Sequence, residues 1–247
     1  MKRIIKMAAA ITVALSLFVS CEGGSSSSSS GVSDKAGEGT LPEIAASTVI
    51  RNKIVTFGSE EGEYYEYLTF TSETSGSYSL YKVVGSDKVK QLQYNSVDLP
   101  EAFTYDATNG KVTTTYGGNS ESNYMFNVKK DAGDAFYFAT DILENANDEE
   151  NLFSEWNLND TSYTFENSGL LTFKTTVSAY EFEFSNDDGF ISADGLSFAW
   201  VKINDKKNLY VNVYETERDT VEAEGRSLVD AEKVISVSSN HSILGLF

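Results

Sequence analysis

Apolar and polar positions alternate one by one through much of the chain. Phe103 and Tyr105 stand opposite Thr104 and Asp106, and Tyr124, Phe126 and Val128 alternate with Met125, Asn127 and Lys129. Tyr180, Phe182 and Phe184 alternate with Glu181, Glu183 and Ser185, and Leu209, Val211 and Val213 with Tyr210, Asn212 and Tyr214. A strand sends successive side chains to opposite faces, so each segment can bury one row and wet the other. Short turn signals separate the segments: Thr74-Ser75-Gly76, Thr108-Asn109-Gly110, Asn167-Ser168-Gly169 and Asp187-Asp188-Gly189. Such linkers join neighbouring antiparallel strands as hairpins. The pattern predicts an all-β fold, an antiparallel up-and-down meander of about twelve to fourteen strands, barrel- or sandwich-like.

Three segments depart from strict alternation. Leu196 to Ile203 (LSFAWVKI) is apolar on both faces, as expected of a central strand covered on both sides. Residues 148–156 begin with acids and gather Leu152, Phe153 and Trp156 on one side, which predicts a short helix. Residues 227–235 offer Ser227 as N-cap and an apolar side made by Leu228, Ala231, Val234 and Ile235, which predicts a second. The strand pattern also repeats. Phe103 to Val112 is similar in spacing to Phe182 to Ile191, and Leu68-Thr-Phe70 to Tyr163-Thr-Phe165. Tyr124 onward parallels Phe198 onward. This points to an internal duplication, with residues 46–145 as one half and 146–247, linker helix included, as the other.

The N-terminus reads differently. Lys2, Arg3 and Lys6 precede fourteen uncharged apolar or small residues, Met7 to Ser20. A basic start followed by an apolar run of roughly 7–15 residues is the pattern of a secretory signal peptide. It is shorter than the ~20 residues that a spanning helix needs. Cys21 follows in the context Leu17-Phe18-Val19-Ser20-Cys21, which resembles the lipobox of bacterial lipoproteins, with Phe18 where that family usually carries Leu. The resemblance implies removal of residues 1–20, acylation of Cys21, and anchorage in the outer membrane of a diderm cell envelope. Cys21 is the only cysteine, so no internal disulfide is available. Glu22-Gly23-Gly24 and six serines, Ser25 to Ser30, open a polar stretch read as a flexible tether over residues 21–45, about 25 Å in span.

Charge narrows the partners. The chain has 19 Lys and Arg against 37 Asp and Glu; loss of residues 1–20 removes three cations and no acid, leaving a net charge of about −21. That excess disfavours nucleic acid and anionic lipid surfaces and favours a soluble monomer. With 31 aromatic residues and two prolines, the body has ample material for a core. The run from Tyr65 through Val112 is similar to the meander of lipocalin-like domains, without a Gly-x-Trp signature near the first strand.

Catalytic chemistry finds little support. The single histidine, His241, reads as a surface or terminal residue, and Ser/His/Asp, Cys/His and His-based zinc arrangements need more. Neither a nucleophile elbow nor a phosphate-binding glycine loop occurs. Asn147-Asp148-Glu149-Glu150 and Asn186-Asp187-Asp188-Gly189 are acidic enough for calcium but lack alternating ligand spacing, so neither a metal nor another cofactor is expected. Aromatic rows are the better binding candidates. Tyr65 and Tyr67 share one face, as do Tyr210 and Tyr214, opposite the more apolar rows. Exposed tyrosines can stack on sugars or anchor a protein. The expectation is a non-catalytic envelope lipoprotein that binds a glycan, an apolar ligand or an envelope protein. The alternatives are a structural or antigenic surface lipoprotein without a small ligand, or a polysaccharide hydrolase.

Overall fold

A computed structural model of the chain describes residues 31–56, 62–94, 97–116, 119–130, 133–147, 150–218 and 233–245. Cys21, the predicted signal peptide and most of the second predicted helix lie outside them. The described residues form strands and turns and contain no helix. A short strand, β1 (Gly37–Thr40), comes first. The first half follows as β2 (Thr48–Thr56), β3 (Gly62–Ser72), β4 (Ser75–Val84), β5 (Asp87–Gln91), β6 (Gln93–Tyr94), β7 (Val97–Asp98), β8 (Ala102–Asp106), β9 (Lys111–Tyr116), β10 (Asn119–Lys130) and β11 (Gly133–Asn145). The second half runs β12 (Glu155–Leu158), β13 (Thr161–Phe165), β14 (Leu170–Lys174), β15 (Ala179–Glu183), β16 (Ser185–Asp187), β17 (Phe190–Ala193), β18 (Leu196–Ile203) and β19 (Lys206–Glu215). β20 (Glu217–Arg218) and β21 (Lys233–Ser239) close the described chain.

Nearly all ladders are antiparallel, as the hairpin signals predict. Two are parallel: β1 beside β18, and β2 beside β21. Both bring together segments from opposite ends of the chain, which a pure meander does not do. The ladders also return on themselves. β1 pairs β10, β10 pairs β11, β11 pairs β19, β19 pairs β18, and β18 pairs β1 again. Within that circuit lies a central core built on Phe126, Tyr137, Val201 and Tyr210. Two larger cores flank it, one around Leu68, Phe70, Phe103 and Phe138, the other around Trp156, Phe165, Phe198 and Trp200.

Alternation explains how one strand serves several cores. Along β11, Phe136 and Phe138 face the first core, Tyr137 and Ala139 the central one, and Leu143 the second. Along β19, Leu209 and Val211 face the second core, Tyr210 and Val213 the central one, and Tyr214 the first. Both strands are long enough to pass from one half to the other. The predicted double-sided strand is β18: Phe198 and Trp200 enter the second core, Ala199, Val201 and Ile203 the central one.

The repeat read from the sequence is present in three dimensions. Phe70 meets Tyr105 edge-on at 5.6 Å, and Phe165 meets Phe184 edge-on at 5.2 Å. Tyr105 N donates to Thr74 O at 2.8 Å, and Phe184 N to Gly169 O at 2.9 Å. Met125 N donates to Gly110 O at 2.9 Å, and Trp200 N to Gly189 O at 2.7 Å. Gly110 and Gly189 both take positive φ, +76° and +96°, and a Cβ there would collide with the carbonyls of Met125 and Trp200. Tyr124 thus corresponds to Ala199, one place on from the match with Phe198 that the sequence suggests. Residues of β11 and β19 exchange across their shared ladder, so the halves are related by a local two-fold axis.

Four expectations change. The predicted helix at 148–156 is not formed over its described residues. Asn151 Oδ1 instead accepts from Phe153 N at 2.9 Å in a turn, and Trp156 enters β12. Residues 233–235, the described end of the other predicted helix, belong to β21. Residues 32–40, which the sequence places in a flexible tether, are instead docked on the second half. Val32 N donates to Asn167 O at 2.9 Å, Asp34 accepts from Leu152 N and Trp200 Nε1 at 2.9 and 3.3 Å, and β1 follows. Finally, 145/146 does not separate independent units, since β10, β11, β18 and β19 wall the central core together.

Candidate functional site

The first half opens sideways where β4 changes partner. Ser75 to Ser77 pair with β8, whereas Leu80 to Val84 pair with β5. Between β5 and β8 the chain leaves the main sheet and makes the small β6–β7 hairpin. That excursion is pinned by Leu99 N donating to Leu92 O at 3.0 Å and Tyr78 N donating to Glu101 O at 2.9 Å. Tyr94 meets Tyr64 edge-on at 6.2 Å, fastening its tip to the first core.

The split leaves an open groove of about 990 Å³. Its floor is the outer face of β4, β8 and β9 and is rich in hydroxyls: Ser77, Ser79, Thr104, Thr113 and Thr115. Tyr81 and Lys90 stand on one wall, and Asp98, Glu101 and the 72% exposed Leu92 on the excursion. Gln93 Nε2 donates to Asp98 Oδ1 at 2.6 Å and fixes that carboxylate at the rim. The groove therefore combines hydroxyl donors and acceptors, one cation, two carboxylates and an aromatic ring.

Tyr81 connects this groove to two of the tyrosines singled out in the sequence. Its ring meets Tyr67 edge-on at 5.6 Å, and Tyr67 lies 6.4 Å from Tyr65. Lys88 Nζ sits 3.8 Å from the Tyr65 ring centre and donates to the Tyr67 hydroxyl at 3.3 Å. Partial burial works to raise the Glu63 carboxyl, but hydrogen bonds from Tyr65 and Lys53 outweigh it and hold the group below the ordinary carboxylate range. Tyr65 itself is buried, so Tyr67 and Tyr81 carry the accessible aromatic surface of this face.

The other two tyrosines do not join them. Tyr210 is 1% exposed and stacks on Phe126 at 4.3 Å inside the central core, because β19 is covered on both sides. Tyr214 stacks on His241 at 3.9 Å under the first half. His241 is accordingly a half-buried packing residue, not a surface one, and burial lowers its pKa. Of the two acidic runs, residues 148–149 lie outside the described chain, while the other holds the N-terminal segment. Asn186 Nδ2 donates to Ser33 O at 2.7 Å, and Lys35 pairs with Asp188 at 2.6 Å.

Sequence reading missed a buried polar cluster in the first half. Glu66 is fully buried on β3, the polar member of a row otherwise made of Tyr64, Leu68 and Phe70. Ser242 Oγ donates to Glu66 Oε1 at 2.5 Å, while Ile243 N and Asn52 Nδ2 donate to Oε2 at 2.8 and 3.1 Å. Burial raises the Glu66 pKa despite these donors. Glu66 sits in the apolar register of its strand, and that break in the alternation was the available signal.

Compared with protein-family models, curated proteins and solved structures, the chain finds no significant match.

Proposed function

We propose that the protein is a non-catalytic lipoprotein of a diderm cell envelope, anchored in the outer membrane through acylated Cys21, whose duplicated β body is a binding module. In this reading the two halves are barrel-like bodies that share the walls of the central core, β10, β11, β18 and β19. The groove takes a polar, hydroxyl-bearing chain, a glycan. The hydroxyl-lined floor carries this assignment: it matches a ligand made of hydroxyls, and Tyr81 beside it offers a ring for stacking. The interior of the first half favours the same ligand class over an apolar one, because Phe70, Phe103, Phe138 and their neighbours already fill it.

The test uses the exported chain carrying Cys21→Ser, titrated calorimetrically with oligosaccharides eluted from a glycan array. Tyr81→Ala should weaken binding at least ten-fold, and Ser79→Trp, which fills the groove, should abolish it. Binding untouched by Ser79→Trp would remove the groove from the account, and silence of the array would leave the structural-lipoprotein reading in its place. The anchor is tested separately: radiolabelled palmitate should enter the parent chain and not the Cys21→Ser chain.

A further inference from the structure

The two halves close differently. In the second half, β12 pairs directly with the end of β11, Asn145 facing Trp156. In the first half, β2 is the counterpart of β12, since Ile50 faces Leu68 as Trp156 faces Tyr163. Yet β2 never meets the end of β19. Strand β21 stands between them, parallel to β2 from Thr48 to Ile54 and antiparallel to β20. The C-terminal segment thus occupies a slot for which the second half has no equivalent occupant.

The slot holds this segment as a receptor holds a peptide. Main-chain hydrogen bonds along β2 supply the ladder. Asn52 Nδ2 donates to His241 O at 2.8 Å, and Glu66 accepts from both Ser242 Oγ and Ile243 N. Arg51 Nε and Nη2 donate to Ser236 Oγ at 2.9 and 2.7 Å. Ile243 and Leu244 then fill the first core. In strand addition to a sheet edge, main-chain hydrogen bonds supply affinity and contacts to side chains supply specificity; β2 and the first core offer this segment both.

Chain length permits the strand to come from elsewhere. Arg218 faces Val237 across the β20–β21 ladder, yet 14 residues, 219–232, separate the two strands. A hairpin needs about 2–5, whereas 14 extended residues reach up to ~48 Å. We infer that the first half is a strand-accepting site, filled in cis by Lys233–Gly245 and able to take the same segment from a second copy, so that the chain joins copies by strand exchange. This stands independently of the groove.

The experiment adds a biotinylated peptide of residues 233–245 in excess to the exported Cys21→Ser chain and captures on streptavidin. Uptake should be saturable at one peptide per chain and at least ten-fold weaker for a peptide carrying Ser242→Ala. In the background without Cys21, Val49→Cys and Val234→Cys place the only two thiols at facing positions of β2 and β21. Oxidation should block uptake and reduction restore it, with the fold retained in both forms by circular dichroism. Copies bearing different tags should co-precipitate when reduced and not when oxidised. Uptake that ignores the disulfide, equal uptake of a scrambled peptide, or no uptake at all would each overturn the inference.

Discussion

The Asn212 side-chain amide donates to Thr140 Oγ1 at 3.0 Å, and the two residues face each other beside the axis that relates the halves. Their counterparts across that axis are Val211 and Asp141, so the hydrogen bond is made once, not twice. Asn212 also takes a φ of +51°, a conformation Asn tolerates better than most side chains. Asn212→Ala should cost about 2 kcal/mol, from the lost hydrogen bond and the left-handed backbone. Asn212→Gly relieves the backbone and should cost under ~1 kcal/mol. Urea unfolding of the two variants checks the order.

Gly110 and Gly189 make equivalent turns, and each would drive a Cβ into a carbonyl oxygen. Alanine at either should cost about 3 kcal/mol or more, combining positive φ with overpacking. The variants differ in what else they disturb. The Cβ of Gly189→Ala also meets the backbone of Gly37, whereas that of Gly110→Ala meets Leu41. Hydrogen exchange at Gly37 to Thr40 should therefore accelerate more in Gly189→Ala.

Glu66 makes stability depend on pH. Its pKa in the fold is raised above the ordinary 4.5, so the folded chain binds the proton more tightly than the unfolded chain. The contribution is full below the unfolded value and is lost as pH rises through the raised one. His241, lowered by burial, runs the other way and adds stability as pH rises towards 6.5. In a His241→Phe background, Glu66→Gln should flatten the falling limb and be the more stable chain above it. Glu66→Ala should lose about 3 kcal/mol or more, because Ser242, Asn52 and Ile243 N are left without their acceptor. Melting temperature against pH for the three chains decides the matter.

Phe126 and Tyr210, one from each half, stack at 4.3 Å in the central core. Tyr210→Ala should cost about 3–5 kcal/mol by opening a cavity where both halves meet. Both tryptophans lie in the second core. Because the halves share walls, tryptophan fluorescence should nevertheless unfold together with the far-ultraviolet signal of the whole sheet. Separate transitions would mean that the halves stand alone.

What could be read in the sequence was local. Alternation located β8, β10, β15 and β19, a run apolar on both faces located β18, and the spacing from Phe103 to Val112 matched its repeat because both segments bend around a glycine that admits no side chain. Partner choice was not local. β1 is Gly-Glu-Gly-Thr, with no apolar row to announce it, yet it is paired on both sides. Tyr210 and Tyr214 share a face by parity, but a strand crossing three cores sends them to different ones. The groove arises from β4 exchanging β8 for β5, which leaves no mark in the residues of β4 itself. At residues 150–156, the acids and the Leu-Phe-Trp spacing suit a helix, but a side-chain turn at Asn151 and a hydrogen bond from Leu152 N to Asp34 satisfy the backbone first.

The parallel ladder of β2 with β21 imposes an order on assembly. Arg51 and Ser236, which it brings into contact, are 185 residues apart in sequence. A chain that emerges amino end first from a ribosome must carry β2 without one of its neighbours until β21, some 185 residues later, has appeared. Such an architecture matures late and all at once, and until then it offers an unfinished edge to any passing chain.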